Sequence, residues 1–287
     1  MITVVLSIYN RTEYYKEALE SLANQTQQNF ELLIYSNINI DYDISKFKDV
    51  KLMSCESNER ALWMSSALRI AKYDKITFLD DDDTFEKNKI SYLEKIDFGY
   101  FHNDYNHLTS GNHIHGNGFN MSCISINRLY FQGLSNALQN NVELGKMNDT
   151  FVYWYALENG IKIQISKEKL TNYRFRDYKT LNSSAVLNMK TQIEKLKMFS
   201  DYFTSKKVQR IIRQRIIQDS IYLRSYGEQA NVSFPDVAWL MFQEKVDGRI
   251  SLLISYLLTM PLLKGHGMNV IQKIRNKKVE NQEVLKL

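Results

Sequence analysis

The chain has 287 residues, a formal net charge of +5, 44% hydrophobic and 24% charged residues, and an aromatic share of 12%. These values exclude a disordered, collagen-like or disulfide-scaffold chain and leave room for one large α/β domain with an appendage, or for two ordinary domains. Lys and Arg are dispersed along the chain rather than gathered in one run, so nucleic acid is not an expected partner. Cys55 and Cys123 form no C-x-x-C pair and read as buried thiols in a reducing compartment.

In chain order, Ile2 to Tyr9 is β-branched and almost continuously apolar, as in a strand buried on both faces of a parallel sheet. It begins with no basic or apolar leader, which predicts a cytoplasmic protein without a secretory signal. Tyr15, Ala18, Leu19 and Leu22 recur at helical spacing with Glu13, Lys16, Glu17 and Glu20 between them, an amphipathic helix. Phe30 to Tyr35 reads as a second buried strand and Lys51 to Ser54 as a weaker third. A helix over Glu59 to Ala71 and a strong strand at Lys75 to Leu79 follow, so strand and helix alternate. That alternation predicts an α/β fold with a mainly parallel, doubly wound central sheet flanked by helices.

Phe98 to Tyr105 and His113 to Ile126 flank a Ser110-Gly111 turn signal and read as an antiparallel pair beside that sheet. After Asn182 the pattern is helical, with Met189 to Phe203, Val208 to Leu223, Val237 to Phe242 and Ile250 to Leu258 as segments and Pro235 and Pro261 as helix starts or breaks. The expected division is an α/β domain over residues 1–185 and a C-terminal helical region over residues 186–287. Leu252 to Leu263 is too short and too interrupted to span a bilayer. Followed by Lys264, Lys273, Arg275, Lys277, Lys278 and Lys286, it suggests either a peripheral contact at the inner face of a membrane or a helix packed on the rest of the protein; the sequence leaves both open.

The chemistry concentrates in Asp80-Asp81-Asp82-Asp83, four carboxylates directly after an apolar strand, where open α/β sheets bind ligands. Adjacent carboxylates repel one another and are tolerated with solvent or a cation, and hard oxygen donors favour Mg2+ or Mn2+. Alternate residues Asp80 and Asp82 can face one ligand. The same stretch is compatible with an acidic turn capping the next helix. Asp80-x-Asp82-x-Thr84 also fits an aspartyl-nucleophile phosphatase of the haloacid-dehalogenase type, with Asp80 attacking phosphorus. That class, however, carries its motif on the first strand.

The N-terminal half, from about Ile2 to Ser184, resembles the family 2 glycosyltransferases. The resemblance is carried by Val4-Val-Leu-Ser-Ile-Tyr-Asn-Arg11, Ala18-Leu-Glu-Ser-Leu22 with Gln25-Thr26, Phe30-Glu31, and Phe78-Leu-Asp-Asp-Asp-Asp83, in that order. It implies a GT-A, Rossmann-like fold and a metal-dependent, inverting transfer of a sugar from a nucleoside diphosphate to a saccharide or glycolipid acceptor. It also implies Ser7 and Tyr9 beside the nucleotide base, Asp80 and Asp81 at the nucleotide sugar, Asp80 and Asp82 at the metal, and Asp149 of Asn148-Asp149 as general base.

Three departures qualify it. Ser36-Asn37-Ile38-Asn39 stands where the family commonly has a base-reading carboxylate, leaving Asn37 for a base edge and a uridine diphosphate sugar as the favoured donor. An expected diphosphate-facing arginine is missing after Ser57-Asn58-Glu59, and Arg60 is the substitute. Tyr173-Arg174-Phe175-Arg176 places Arg176 where the family often has histidine. A non-catalytic saccharide-binding homologue is the reading these losses keep open. For the acceptor, the polar segment with His113-x-His115 and Asn117 is read as a sugar contact in preference to zinc, with Trp154 and Arg176 as further candidates.

Overall fold

The computed structural model describes residues 1–10, 12–54, 60–108, 120–174, 181–243 and 249–258. Strand β1 (Ile2–Ile8) is buried almost throughout, which is why its sequence does not alternate. Helix α1 (Tyr15–Ala23) turns Tyr15, Ala18, Leu19 and Leu22 inward. Then come β2 (Glu31–Ser36), fully buried, and β3 (Val50–Ser54), partly exposed. Helix α2 (Arg60–Ile70), β4 (Lys75–Asp80), the two-residue β5 (Thr84–Phe85) and α3 (Lys89–Lys95) follow. The remaining strands are β6 (Tyr100–His107), β7 (Ile124–Asn127) and, after α4 (Leu134–Asn140) and α5 (Asn148–Glu158), β8 (Ile163–Tyr173).

The eight strands form one sheet in the order β3-β2-β1-β4-β7-β6-β8-β5. β1 pairs in parallel with β2 and β4, and β2 with β3; β7 is antiparallel to β4 and β6, and β6 is parallel to β8. The expected antiparallel pair is present with Tyr100 opposite Ile126, but its second strand starts only at Ile124, after a 3-10 turn over Met121–Cys123. Residues 113–119 lie outside the described residues. Strand β8 and helix α4 were not anticipated. In β8 the apolar positions change phase between Ile165 and Leu170, because register shifts at His102 to Asp104 and Asp104 to Tyr105 break the two-residue period.

At the opposite end of the sheet from the acidic motif, Glu31 is fully buried yet satisfied. Thr3 Oγ1 donates to it at 2.7 Å, the Lys72 N–H at 2.6 Å and Lys51 Nζ at 2.8 Å. One carboxylate thereby ties β1, β2, β3 and the α2–β4 connection, and its sequence motif is structural. Cys123 is buried and free, whereas Cys55 lies outside the described residues.

The chain divides into two compact units, Met1–Asn112 with Gly118–Arg176, and His113–Asn117 with Asp177–Leu287. In the second, α6 (Leu181–Tyr202), α7 (Lys206–Ser225), α8 (Phe234–Met241) and α9 (Arg249–Leu258) occupy the segments read as helical from the sequence. Ser233 and Asp236 form a reciprocal capping box at the start of α8, with Pro235 in its first turn. Ile217, Ile221, Val232, Val237, Leu240, Leu252 and Tyr256 make the core of these helices. No helix among the described residues is long and apolar enough to cross a membrane, and residues 259–287, with the basic tail, lie outside them.

Candidate active site

The sheet changes winding direction between β1 and β4: the chain runs outward from β1 through β2 to β3 and returns on the other side as β4. Open α/β sheets bind ligands at such a switch point, outside the carboxyl ends of the strands. Here Ser7 and Asp80 are neighbours in the ladder, and Ser7 Oγ donates to Asp80 Oδ1 at 3.3 Å.

A cleft of about 290 Å³ opens there, lined by Ser7, Tyr9, Asn10, Arg60, Trp63, Asp80 and Asp81. Five of the residues expected around a nucleotide therefore share one cavity. Tyr9 and Trp63 stand with ring centroids 5.6 Å apart, giving one wall an aromatic face. Asn10 and Trp63 were not anticipated; Asn10 takes a φ of 53°, a left-handed conformation that asparagine tolerates better than most residues. Asn37 is bound to it reciprocally: the Asn10 N–H donates to Asn37 Oδ1 at 2.9 Å, and Asn37 Nδ2 to Asn10 Oδ1 at 2.6 Å. Beyond this pair of bonds the Asn37 amide has one further N–H and one further lone pair to offer a partner.

The four aspartates alternate in environment. Asp81 and Asp83 are 4% and 1% exposed, while Asp80 and Asp82 are partly buried. The Tyr9 N–H donates to Asp81 Oδ2 at 3.2 Å. Asp83 accepts from Asn120 Nδ2 at 3.1 Å and from the Arg174 N–H at 2.9 Å. Burial, with the negative charge of Asp80 adding, pushes the Asp83 carboxyl up to about 7. Asp81 and Asp83 are thus the two carboxylates held by backbone and amide donors at the strand end, and Asp80 and Asp82 are the two that reach solvent.

Among the described residues no group of three or more His, Cys, Asp and Glu side chains is placed to hold a metal ion by itself. A hard divalent cation of the magnesium type takes one or two carboxylates and completes its shell with water and substrate phosphate. Asp80 and Asp82 are the residues that would hold it.

A buried polar network lies behind the turn. Ser122 Oγ accepts the Asp80 N–H at 3.0 Å, and Asn120 Oδ1 accepts the Ser122 N–H at 2.9 Å. Lys89, wholly buried, donates to Ser122 O at 2.6 Å and Thr171 Oγ1 at 3.0 Å and sits 3.8 Å from the centre of the Phe85 ring. Burial pulls its ammonium down to about 7. Lys89, Asn120 and Ser122 escaped the sequence reading, since a lone lysine on a helix reads as solvated and the segment around Ser122 as plain strand.

Asp149 lies in the first turn of α5 and its Oδ1 accepts the Thr150 N–H at 2.6 Å. Desolvation pushes its carboxyl up to about 6 and the charge of Asp80 adds, while the Thr150 hydrogen bonds and the Arg60 charge oppose. The group is therefore electrostatically in touch with both Asp80 and Arg60. Its neighbour Asn148 lines an adjoining recess together with Ser7, Arg60, Trp63 and Asp80. Gly145 makes this proximity feasible: a Cβ there would fall 2.5 Å from the Ala61 nitrogen, so only glycine lets the 3-10 turn Val142–Met147 lie against the start of α2.

Of the acceptor candidates, Trp154 is 5% exposed within α5, where its ring is packing and leaves little face for a sugar. His115, Asn117 and Arg176 lie outside the described residues, as does Arg11. Beside the acidic turn the structure instead gathers Tyr105, His107 and Tyr173, with ring centroids 5.3 Å and 5.4 Å from Tyr105 to the other two. Burial and the charges of Asp83, Asp82 and Asp80 push the Tyr173 phenol upward.

A mixed sheet with helices around it and an acidic turn at the switch point defines the GT-A glycosyltransferase fold. The likeness extends over nearly the whole chain to TarS 1-349 of S. aureus in complex with UDP-GlcNAc (TM-score 0.51, 14% identity, 98% of this chain and 88% of that one). It extends likewise to the mannosyltransferase PcManGT of Pyrobaculum calidifontis in complex with GDP-Man and Mn2+ (TM-score 0.55, 10% identity, 99% and 88%). At these identities the likeness speaks to fold. Residues 3–98, about a third of the chain, match the Glycosyl transferase family 2 model.

An uncharacterized glycosyltransferase of Rickettsia felis is 33% identical over 121 residues, 36% of this chain and 19% of that protein. The Escherichia coli UDP-Glc:alpha-D-GlcNAc-diphosphoundecaprenol beta-1,3-glucosyltransferase WfaP is 31% identical over 112 residues, 35% of this chain and 45% of that protein. The matches thus span about a fifth and under half of these relatives.

Proposed function

We propose that the chain is a glycosyltransferase that moves a sugar from a nucleoside diphosphate, uridine diphosphate favoured, to a saccharide or lipid-linked saccharide acceptor with inversion. The observation that carries the reading is the cleft at the β1–β4 switch point, which Asp80 and Asp81 line with Ser7, Tyr9, Arg60 and Trp63, beside a recess lined by Asn148, the chain neighbour of Asp149. TarS with UDP-GlcNAc, PcManGT with GDP-Man and the UDP-Glc-dependent WfaP support a nucleotide-sugar donor, and the diphosphoundecaprenol acceptor of WfaP supports a lipid-linked one. Unit 1 is read as the catalytic body. The C-terminal helices and basic tail are read as the part that meets a membrane surface.

In this mechanism Ser7, Tyr9 and Trp63 seat the nucleoside, and Asn37 with Asn10 meets the base edge. Arg60 pairs with the diphosphate oxygens. Asp80 and Asp82 would hold a divalent cation, Mn2+ or Mg2+, whose charge stabilises the departing diphosphate. The Asp149 carboxylate removes the proton of the acceptor hydroxyl as its oxygen attacks the anomeric carbon from the face opposite the diphosphate. A carboxyl near 6 suits that task, being ionised at neutral pH yet more basic than an ordinary aspartate. The phosphatase alternative is set aside because the acidic motif follows β4, not the first strand, within the segment that matches the family 2 model.

The test is calorimetric binding of a panel of nucleoside diphosphates, with and without manganese, to the wild type and to Asp82→Ala. Metal-dependent binding of one nucleotide, lost in the variant, is expected. Binding of none removes the donor site, and binding without turnover of any sugar nucleotide leaves a saccharide-binding homologue.

A further inference from the structure

Arg174, directly after β8, touches the acidic turn and α1 at once. Its N–H donates to Asp83 Oδ1 at 2.9 Å and its Nε to the Asp82 carbonyl oxygen at 3.0 Å. Its Nη2 meets Glu17 Oε2 at 2.5 Å, and the guanidinium lies 3.9 Å from the centre of the Tyr14 ring. The side chain is 15% exposed. A charged arginine next to a diphosphate site is ordinarily read as a phosphate contact, but here the planar fork is engaged by a carbonyl, a carboxylate and an aromatic face.

We infer that Arg174 is a positioning residue for the acidic turn: it ties the Asp82 main chain and the Asp83 carboxylate to Glu17 of α1 and to Tyr14 just before it, so that the Asp82 carboxylate is presented in a fixed geometry to the divalent cation it would hold at the donor diphosphate. The inference rests on the donor-site reading above. The physical reason is preorganisation: a carboxylate whose backbone is held needs no reordering when its ligand arrives, and supports behind a ligand set control affinity nearly as strongly as the ligands do. Within the turn the Asp83 N–H donates to the Asp80 carbonyl oxygen at 3.2 Å. Glu17, with a side chain 54% exposed, is the brace on the far side of the guanidinium.

The experiment compares Arg174→Ala, Arg174→Lys and Glu17→Gln with the wild type. It measures affinity for uridine and guanosine diphosphate with and without manganese, Mn2+ binding by electron paramagnetic resonance, and amide hydrogen exchange of the peptide spanning residues 80–84. Arg174→Ala is expected to lose on the order of tenfold or more of the manganese-dependent affinity, with metal-free nucleotide binding nearly unchanged and faster exchange in the turn. Arg174→Lys retains charge for Glu17 but not the Nε bond to Asp82, so it should not restore the loss; Glu17→Gln, which folds with an exposed amide in place of an acid, should show a smaller loss.

Equal weakening with and without metal would make Arg174 a phosphate contact, and full rescue by lysine would make charge, not geometry, its contribution; either overturns the inference. Unchanged exchange and affinity in Arg174→Ala would overturn it as well. Should the wild type bind no nucleotide, the donor reading fails separately, and the exchange rates still decide whether Arg174 holds the turn.

Discussion

Burial sorts otherwise identical side chains in the acidic tetrad. Asp81 and Asp83 satisfy backbone and amide donors, which leaves Asp80 and Asp82 to face outward. Composition alone makes the four aspartates equivalent; only the alternation of a strand end separates them, and the sequence reading of Asp80 and Asp82 as a pair rested on that alternation. Asp149 is the residue on which a pH profile should turn. Its carboxyl lies near 6 in the folded protein and must be ionised to accept a proton, so kcat/KM is expected to rise with pH through about 6 and level off above about 7. Asp149→Asn should lower kcat by roughly 100- to 10,000-fold while leaving nucleotide affinity nearly intact. Steady-state rates from pH 5 to 8, with calorimetry on the variant, check both; a variant that keeps its rate removes Asp149 as the base.

How much of each element was legible follows from its burial. β1, β2 and β4 lie inside the sheet and write continuous apolar runs, so the alternation of strand and helix could be read directly. β3, at the edge, keeps three exposed positions and reads weakly. β8 was hidden by its bulges, and α4, seven residues long and opened by Gly133 at a φ of 87°, is too short for a helical period to emerge. The supports of the acidic turn, Lys89, the pair Asn120 and Ser122, and Arg174, come from three separate segments, and no local pattern announces a contact across such separations. Gly145 is the element-level counterpart. Gly145→Ala would drive a methyl group into the Ala61 backbone and force the turn before α5 away from α2. We expect a loss of about 1–3 kcal/mol in denaturant unfolding. Nucleotide affinity should weaken as well, because Arg60 and Asp149 sit on the two segments being separated. Weakened unfolding with unchanged nucleotide binding would show that this close approach serves stability alone.

For the whole molecule, a nucleotide that binds only the folded cleft must raise its stability. At a hundredfold excess over the dissociation constant, with manganese, the gain is about 2.7 kcal/mol. Differential scanning calorimetry should show an upward shift of melting for the wild type and none for Asp82→Ala; an equal shift in both would place the nucleotide elsewhere. The family profile covers residues 3–98, whereas Asp149 and Arg174 come much later in the chain. During synthesis the acidic turn at Asp83 therefore leaves the ribosome 91 residues ahead of the Arg174 amide that caps it. At about 5–20 residues per second, that is roughly 5–20 s in which four carboxylates stand at the end of β4 without their clamp. A nascent chain arrested before β8 is complete should hold the first parallel strands but no finished donor site, so the ability to bind nucleotide is acquired late, in the last steps of building the first unit.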